Sequence, residues 1–279
     1  MQIVLTGKYI KEKWYSEFLF HKAFEKLYPG TPYIPYSALG NSKDLLSAAD
    51  ALVIFEGHGI VPSVLEGLKC CKIVVFPGAL GIKKKAIIRL KRLATFCDFI
   101  YCLDTTRAED VGHRLGITLY PLLPATDPEV YPPVVNANPI YDVIFWGVMK
   151  PIRKALLSEL KKHCSVYHRR AFLSQVPTFC GSGRIAFNKS LTHAYNNRVF
   201  ESLGMKLFLI TDFVEERYRV FEHRKHLVYY KDEELIEEVL YYLQRPEARL
   251  QIAEAGYKEV LEKHTYVHRV AHLMSRIGG

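Results

Sequence analysis

Two short stretches of the chain hold residues whose types and spacing suit phosphate chemistry. Gly147 closes an apolar run, and Lys150 and Arg153 follow within two helical turns. A glycine lets a ligand come close to the backbone, and cations so placed could hold phosphate charge. Further on, Asn196-Asn197-Arg198-Val199-Phe200-Glu201 opens a helix after a loop. The first turn of a helix presents free N–H groups and attracts anions. Glu201 falls one turn in, where a carboxylate could accept two hydrogen bonds from a ribose diol. A helix cap, first-turn charge balance and solvated bases would use the same residues, so spacing alone leaves both readings open.

These residues need a frame. Ile3–Thr6, Ala51–Phe55, Lys72–Phe76, Phe99–Leu103 and Thr118–Pro124 read as strands, the first ending at Gly7, with helices such as Tyr15–Leu27 between them. Continuous apolar strands alternating with helices imply a parallel sheet covered on both faces. Pro124, Pro128, Pro132, Pro133 and Pro139 then fall close together. Proline is excluded from helix interiors and central strands, so residues 125–139 read as a linker.

The strand–helix pattern restarts at Tyr141–Trp146. Strands follow at Ser165–Tyr167, Arg184–Asn188, Lys206–Thr211 and Leu227–Tyr230. Asp232 reads as the cap of a helix Glu233–Leu243, and Pro246 as the first residue of a last helix. The reading is therefore α/β, with two Rossmann-like domains: 1–124, the linker 125–139, and 140–265. Residues 266–279 form a terminal helix that crosses back to the first domain.

Open parallel sheets bind ligands outside the carboxyl ends of their strands. In the second domain those ends are Gly147, Asn188 and Thr211-Asp212, with Lys150, Arg153, Asn197, Arg198 and Glu201 close by. In the first they are Gly7-Lys8, Glu56-Gly57-His58-Gly59, Pro77-Gly78 and Asp104-Thr105. His58, between glycines, has a side-chain type that titrates near neutrality and could serve as a general base. A loop histidine that only contacts substrate or solvent fits the same position.

The chain has 279 residues, 49% of them hydrophobic, and a formal net charge of +9. A basic balance favours an anionic ligand or partner without choosing among nucleotide, nucleic acid and membrane surface. No apolar run is long enough to cross a membrane, and the amino terminus lacks the layout of a signal peptide. Six cysteines without CxxC or zinc-finger spacing read as reduced thiols, and the expected location is the cytoplasm. The absence of Asp-x-Asp, HExxH, a P-loop and GxGxxG argues against a bound metal, a zinc peptidase, an NTPase and a typical dehydrogenase. Between Ala79 and Phe96 lies no acid, while Lys83, Lys84, Lys85, Arg89, Lys91 and Arg92 crowd the segment. With Ile82, Ala86, Leu90, Leu93 and Ala94 as a buried stripe, the bases of 83–92 form the outer face of a helix. Such a face is solvated, or it contacts nucleic acid or anionic lipid.

The order of the second-half segments resembles the nucleotide-sugar half of the GT-B glycosyltransferases, in particular the CgeB-like group related to glycosyltransferase family 4. The resemblance is carried by Arg184–Asn188 followed by Asn197-Arg198-Val199-Phe200-Glu201, by Tyr230–Leu235, by Ile252–Gly256 with His264–Arg269, and by Tyr120–Pro128. It implies a GT-B fold with two domains facing across a cleft and transfer of a hexose from a nucleoside-diphosphate sugar, such as a UDP-sugar, to an acceptor hydroxyl. It implies no bound metal and no cofactor. Lys150, Arg153 and Arg198 would meet the leaving diphosphate. The E-x7-E glutamate pair of family 4 is broken here, because its second place is Glu201 and its first is His193. That departure leaves two further readings: a sugar- or nucleic-acid-binding module that has lost catalysis, and a transferase acting on DNA bases.

Overall fold

The computed structural model describes residues 1–8, 15–56, 59–60, 62–76, 84–103, 105–134, 139–192, 194–215 and 219–277. The chain divides into two compact units, Met1–Leu123 with Tyr266–Gly279, and Pro124–Thr265.

In the first unit, six parallel strands lie in the order β2-β1-β3-β4-β5-β6. They are β1 (Ile3–Gly7), β2 (Tyr33–Pro35), β3 (Ala51–Phe55), β4 (Cys71–Phe76), β5 (Phe99–Cys102) and β6 (Tyr120–Pro121). Every residue of β1 and β3 is buried, as continuous apolar runs require when helices cover both faces. One face packs Val4, Leu52, Ile54 and Val74 against Leu90 and Leu93 of α4 (Lys84–Ala94). Helix α1 (Tyr15–Leu27) buries Phe20 and Phe24. Short helices α2 (Lys43–Ala48) and α3 (Pro62–Leu65) and the amphipathic α5 (Ala108–Leu115) complete the connections. Gly116, in the left-handed region at φ +65, ends α5.

The basic helix is not a purely solvated face. Arg89 donates from Nη1 to the Glu56 carbonyl at 3.2 Å, and Arg92 from Nη2 to the Ile60 carbonyl at 3.2 Å. Both guanidinium groups thus reach the loop that follows β3, while Arg92 stays exposed together with Ile88 and Lys91.

In the second unit, five parallel strands run in the order β11-β10-β9-β7-β8. They are β7 (Tyr141–Trp146), β8 (Val166–Arg169), β9 (Gly183–Asn188), β10 (Leu209–Asp212) and β11 (Val228–Tyr230). The connecting helices are α6 (Pro151–Leu160), α7 (Gln175–Cys180), α8 (Asn197–Gly204), α9 (Leu235–Leu243) and α10 (Pro246–Lys263). Val143, Phe145, Phe187 and Ile210 of the sheet pack with Leu157, Leu235, Val239 and Tyr242 of the helices. Asp232 does not cap α9. It opens a short 3-10 turn and pairs with Lys189 Nζ at 2.6 Å, and the Glu234 carboxylate instead accepts the Lys231 N–H.

The proline-rich stretch read as a linker is packed rather than extended into solvent where it is described. Ala125, Thr126, Asp127 and Tyr131 are buried, and Asp127 Oδ1 accepts the N–H groups of Glu129 and Val130. Proline forbids regular structure there but not packing. The last helix, α11 (Tyr266–Met274), belongs to the first unit and packs on α1, with the Tyr266 and Phe20 rings edge to face at 5.0 Å. Arg269 Nε donates to the Leu123 carbonyl at 2.9 Å. Among the described residues, no helix is long and apolar enough to cross a membrane.

Candidate functional site

In the second sheet the chain moves from β7 to β8 on one side, then returns to β9 on the other. The strand order therefore reverses between β7 and β9, and a crevice opens at their carboxyl ends. Gly147 ends β7 there and Asn188 ends β9.

Arg198 fills this place. It sits in the first turn of α8, whose start is fixed by Asn196, a capping residue that accepts the Arg198 N–H at 3.1 Å. The guanidinium reaches back over the strands. Its Cζ lies 4.4 Å from the Phe145 ring centroid and 5.6 Å from that of Trp146, and Nη1 donates to Asn188 Oδ1 at 2.7 Å. Gly147 has φ +117, and a Cβ on it would collide with Arg198 Nη2. The glycine thus makes room for the arginine, where the sequence reading had it making room for a ligand.

Asn188 is the hub of the cluster. Its Oδ1 also accepts from Asn196 Nδ2 at 3.1 Å, and its Nδ2 donates to Thr211 Oγ1 at 2.9 Å. Asp212 Oδ1 accepts the Ser190 N–H at 2.7 Å and so ties the end of β10 to the loop after β9. Arg153, one turn into α6, donates to the carbonyls of Lys189 and Val148, both at 2.9 Å. Its guanidinium lies 5.5 Å from the other arginine's platform, the Phe145 ring. Two guanidinium groups therefore converge on one buried aromatic ring.

Burial governs the electrostatics. It pulls the Arg198 guanidinium down to about 9, with Arg153 acting the same way as a neighbouring like charge. Burial also lowers Arg153, against the attraction of Asp212. Arg198 Nε is buried and has no hydrogen-bond partner among the described residues. A desolvated cation with an unused donor is stabilised by an anion that supplies both charge and acceptor.

Glu201 is not an exposed first-turn carboxylate. It is 6% exposed, Oε1 accepts from the Tyr131 hydroxyl at 3.2 Å, and Oε2 accepts from Trp146 Nε1 at 3.1 Å. Burial raises its pKa, and Arg198 opposes the rise. Lys150 and Asn197 stand at the rim, Lys150 exposed at the start of α6 and Asn197 partly buried as the first residue of α8.

Among the described residues, the first-unit candidates form no comparable cluster, and Gly57, Pro77, Gly78 and Asp104 lie outside those residues. Gly7 ends β1, but Glu17 and the Tyr33 hydroxyl occupy the space a side chain on it would need. His58 and His193 lie outside the described residues. Among the described residues, no group of three or more His, Cys, Asp or Glu side chains is arranged to hold a metal ion. Tyr131 and Trp146 were missed by sequence reasoning. They lie 70 and 55 positions from Glu201 and carry no local signal.

No functionally curated protein matches the chain by sequence. Among solved structures, Anabaena Alr3699/HepE in complex with UDP and glucose is similar at 9% identity, covering 100% of both chains with a TM-score of 0.74. An alpha-glucosyltransferase in complex with UDP and a 13-mer DNA containing a HMU base is similar at 9% identity over 100% of both chains, with a TM-score of 0.70. Sucrose-phosphate synthase (tll1590) from Thermosynechococcus elongatus is similar at 9% identity over 99% of both chains, with a TM-score of 0.68. At this level of identity the likeness is one of fold, the GT-B arrangement of two Rossmann-like domains. The family model described as glycosyl transferase-like matches residues 135–275, just over half of the chain, and the chain belongs to that family.

Proposed function

We propose that the protein is a glycosyltransferase of the CgeB-like group, related to glycosyltransferase family 4, that moves a hexose from a nucleoside-diphosphate sugar to an acceptor hydroxyl. The observation that carries this reading is the Arg198 guanidinium, buried beside Arg153 at the switch point with Nε unpartnered. The UDP held by similar structures supports a nucleotide-sugar donor.

In the proposed reaction the acceptor oxygen attacks the anomeric carbon and forms the new C–O bond. The bond from that carbon to the diphosphate oxygen breaks, and the nucleoside diphosphate leaves with the electron pair. Its growing charge is met by Arg198, by the amino-terminal end of α8 at Asn197, and by Lys150 at the rim. No metal is needed in this scheme, because cations of the chain carry that role. Arg153, Asn188, Thr211 and Asp212 hold the loops around Gly147 in place. Each Glu201 oxygen retains a second lone pair, and the ribose diol would add to or displace the Tyr131 and Trp146 donors there. On the acceptor side the proposed residues are Gly7 and His58, the latter as the base that takes the hydroxyl proton. Six cysteine thiols outside any disulfide support a cytoplasmic location.

A second reading has one observation in its favour: both Glu201 oxygens already accept hydrogen bonds within the protein. In that case the fold binds a nucleotide without transferring sugar. The test is calorimetric titration with UDP, GDP, ADP and TDP, followed by hydrolysis and transfer assays with the matching sugar donor. Tight binding of one diphosphate with turnover supports the transferase. Binding without turnover on any acceptor supports the second reading, and no binding of any of the four overturns both.

A further inference from the structure

The positive charge of the chain is not evenly spread. The first unit carries 18 Lys and Arg to 11 Asp and Glu, whereas the second carries 20 to 18. Within the first unit the excess is densest in and just before α4, where the sequence has no acid from Ala79 to Phe96.

The helix shows which of these bases face outward. Leu90 and Leu93 are fully buried and fix the inner face. Arg89 and Arg92 each donate to a backbone carbonyl of the loop after β3, and Arg89 also lies 5.7 Å from the Phe76 ring centroid. Lys91, Arg92 and Thr95 are exposed, and Ile88, one turn before Lys91 and Arg92, is 59% exposed. Among the described side chains, the exposed face of the most basic helix in the chain therefore sets an isoleucine beside Lys91 and Arg92. Lys84 and Lys85 precede it by one turn in sequence.

Two anionic partners fit the charge, but only one fits the isoleucine. Phosphate recognition on nucleic acid is served by arginine forks, and here Arg89 and Arg92 each commit a guanidinium N–H to a backbone carbonyl. An apolar side chain set among lysines gains where it can enter the boundary between headgroups and acyl chains while the lysines meet lipid phosphate. We infer that α4 is a docking surface for an anionic lipid bilayer, with Ile88 as the inserted side chain and Lys91 and its neighbouring bases as the electrostatic contact. One short stripe makes the association reversible and salt-sensitive rather than a stable anchor. The inference is independent of the donor site, since it concerns a different unit and is read without turnover.

The test is co-sedimentation of the full chain with sucrose-loaded vesicles, of phosphatidylcholine alone or with about one third phosphatidylglycerol. Ile88→Glu, Lys91→Glu and the control Leu250→Glu, a 69% exposed site on α10, are compared after melting curves confirm folding. The expected result is binding to the anionic vesicles only, weakened about fivefold or more by Ile88→Glu and by Lys91→Glu and abolished at about 0.5 M NaCl, with Leu250→Glu unchanged. A duplex DNA oligonucleotide is titrated in parallel. No binding to anionic vesicles, or binding that Ile88→Glu leaves intact, overturns the inference. Binding of DNA without binding of vesicles assigns the surface to nucleic acid and overturns it equally.

Discussion

The guanidinium of Arg198 occupies the space above Gly147 that any side chain there would need. The two residues are 51 positions apart and belong to different elements, yet neither makes sense without the other. Gly147 follows β7 with a positive φ, and Arg198 passes over it to rest on Phe145.

Gly147→Ala should cost stability in two ways: left-handed strain of about 1–2 kcal/mol, and displacement of the Arg198 side chain. Gly30→Ala is the matched control. Gly30 has φ +80 with nothing within reach of a Cβ, and it lies in the first unit. Urea unfolding should show both variants destabilised, Gly147→Ala more so. Calorimetry should show nucleoside-diphosphate affinity lost only in Gly147→Ala.

Arg198→Lys should weaken binding of the nucleoside diphosphate about ten- to hundredfold, because a charged hydrogen bond contributes about 1.5–3 kcal/mol and 1.4 kcal/mol is tenfold. A lysine cannot stack on Phe145 or present the same fork. Arg153→Lys should behave differently. Its Nε and Nη1 hold the carbonyls of Lys189 and Val148, so the melting temperature should fall by more and the affinity by less. Equal effects of the two variants on affinity would contradict the assignment of roles.

Glu201→Gln tests two roles at once. The amide keeps an acceptor for one of Tyr131 and Trp146 but turns an N–H₂ toward the other. That conflict in a buried site should cost about 1–3 kcal/mol of stability, visible in melting curves. Contact with the ribose would add about a tenfold or greater loss of nucleotide affinity. A lower melting temperature with unchanged affinity would leave Glu201 as the anchor of Tyr131 and Trp146 alone.

Acid should loosen the segment that leads into β11. His223 Nδ1 accepts the Tyr229 N–H at 3.1 Å, and His226 Nδ1 accepts the Glu222 N–H at 3.2 Å, so both rings must be neutral at those nitrogens. Burial lowers both pKa values, and the unfolded state therefore takes up protons first as pH falls. Their contribution to stability is complete above about pH 6.5, the unperturbed value, and declines as pH drops toward the lowered folded values. Burial lowers His268 and His272 in the same direction. Melting temperature should fall as pH drops from about 6.5, and the double variant His223→Gln/His226→Gln should show a shallower slope.

The strands were legible wherever burial on both faces left an unbroken apolar run, as in β3, β4 and β7. Strand β2 was not, because Tyr33–Pro35 is three residues long and bracketed by prolines, which only an edge position tolerates. The pairing of glycine and cation near the end of β7 could be read from residue types. The partner of that glycine could not, since only the folded sheet brings Arg198 to Gly147. Tyr131 was hidden for another reason. Its prolines signal a loop, and nothing local says that such a loop is buried under Glu201.

The position of α11 bears on how the chain folds as it is made. Pro124–Thr265 is one uninterrupted stretch, so every residue of the second unit is available before the first unit has its last helix. During synthesis from the amino terminus, α1 therefore waits with Phe20 uncapped by Tyr266 and with the Leu123 carbonyl without Arg269. The first unit closes only after the second has been made, and its apolar α1 surface stays open to other partners until the residues beyond Thr265 emerge.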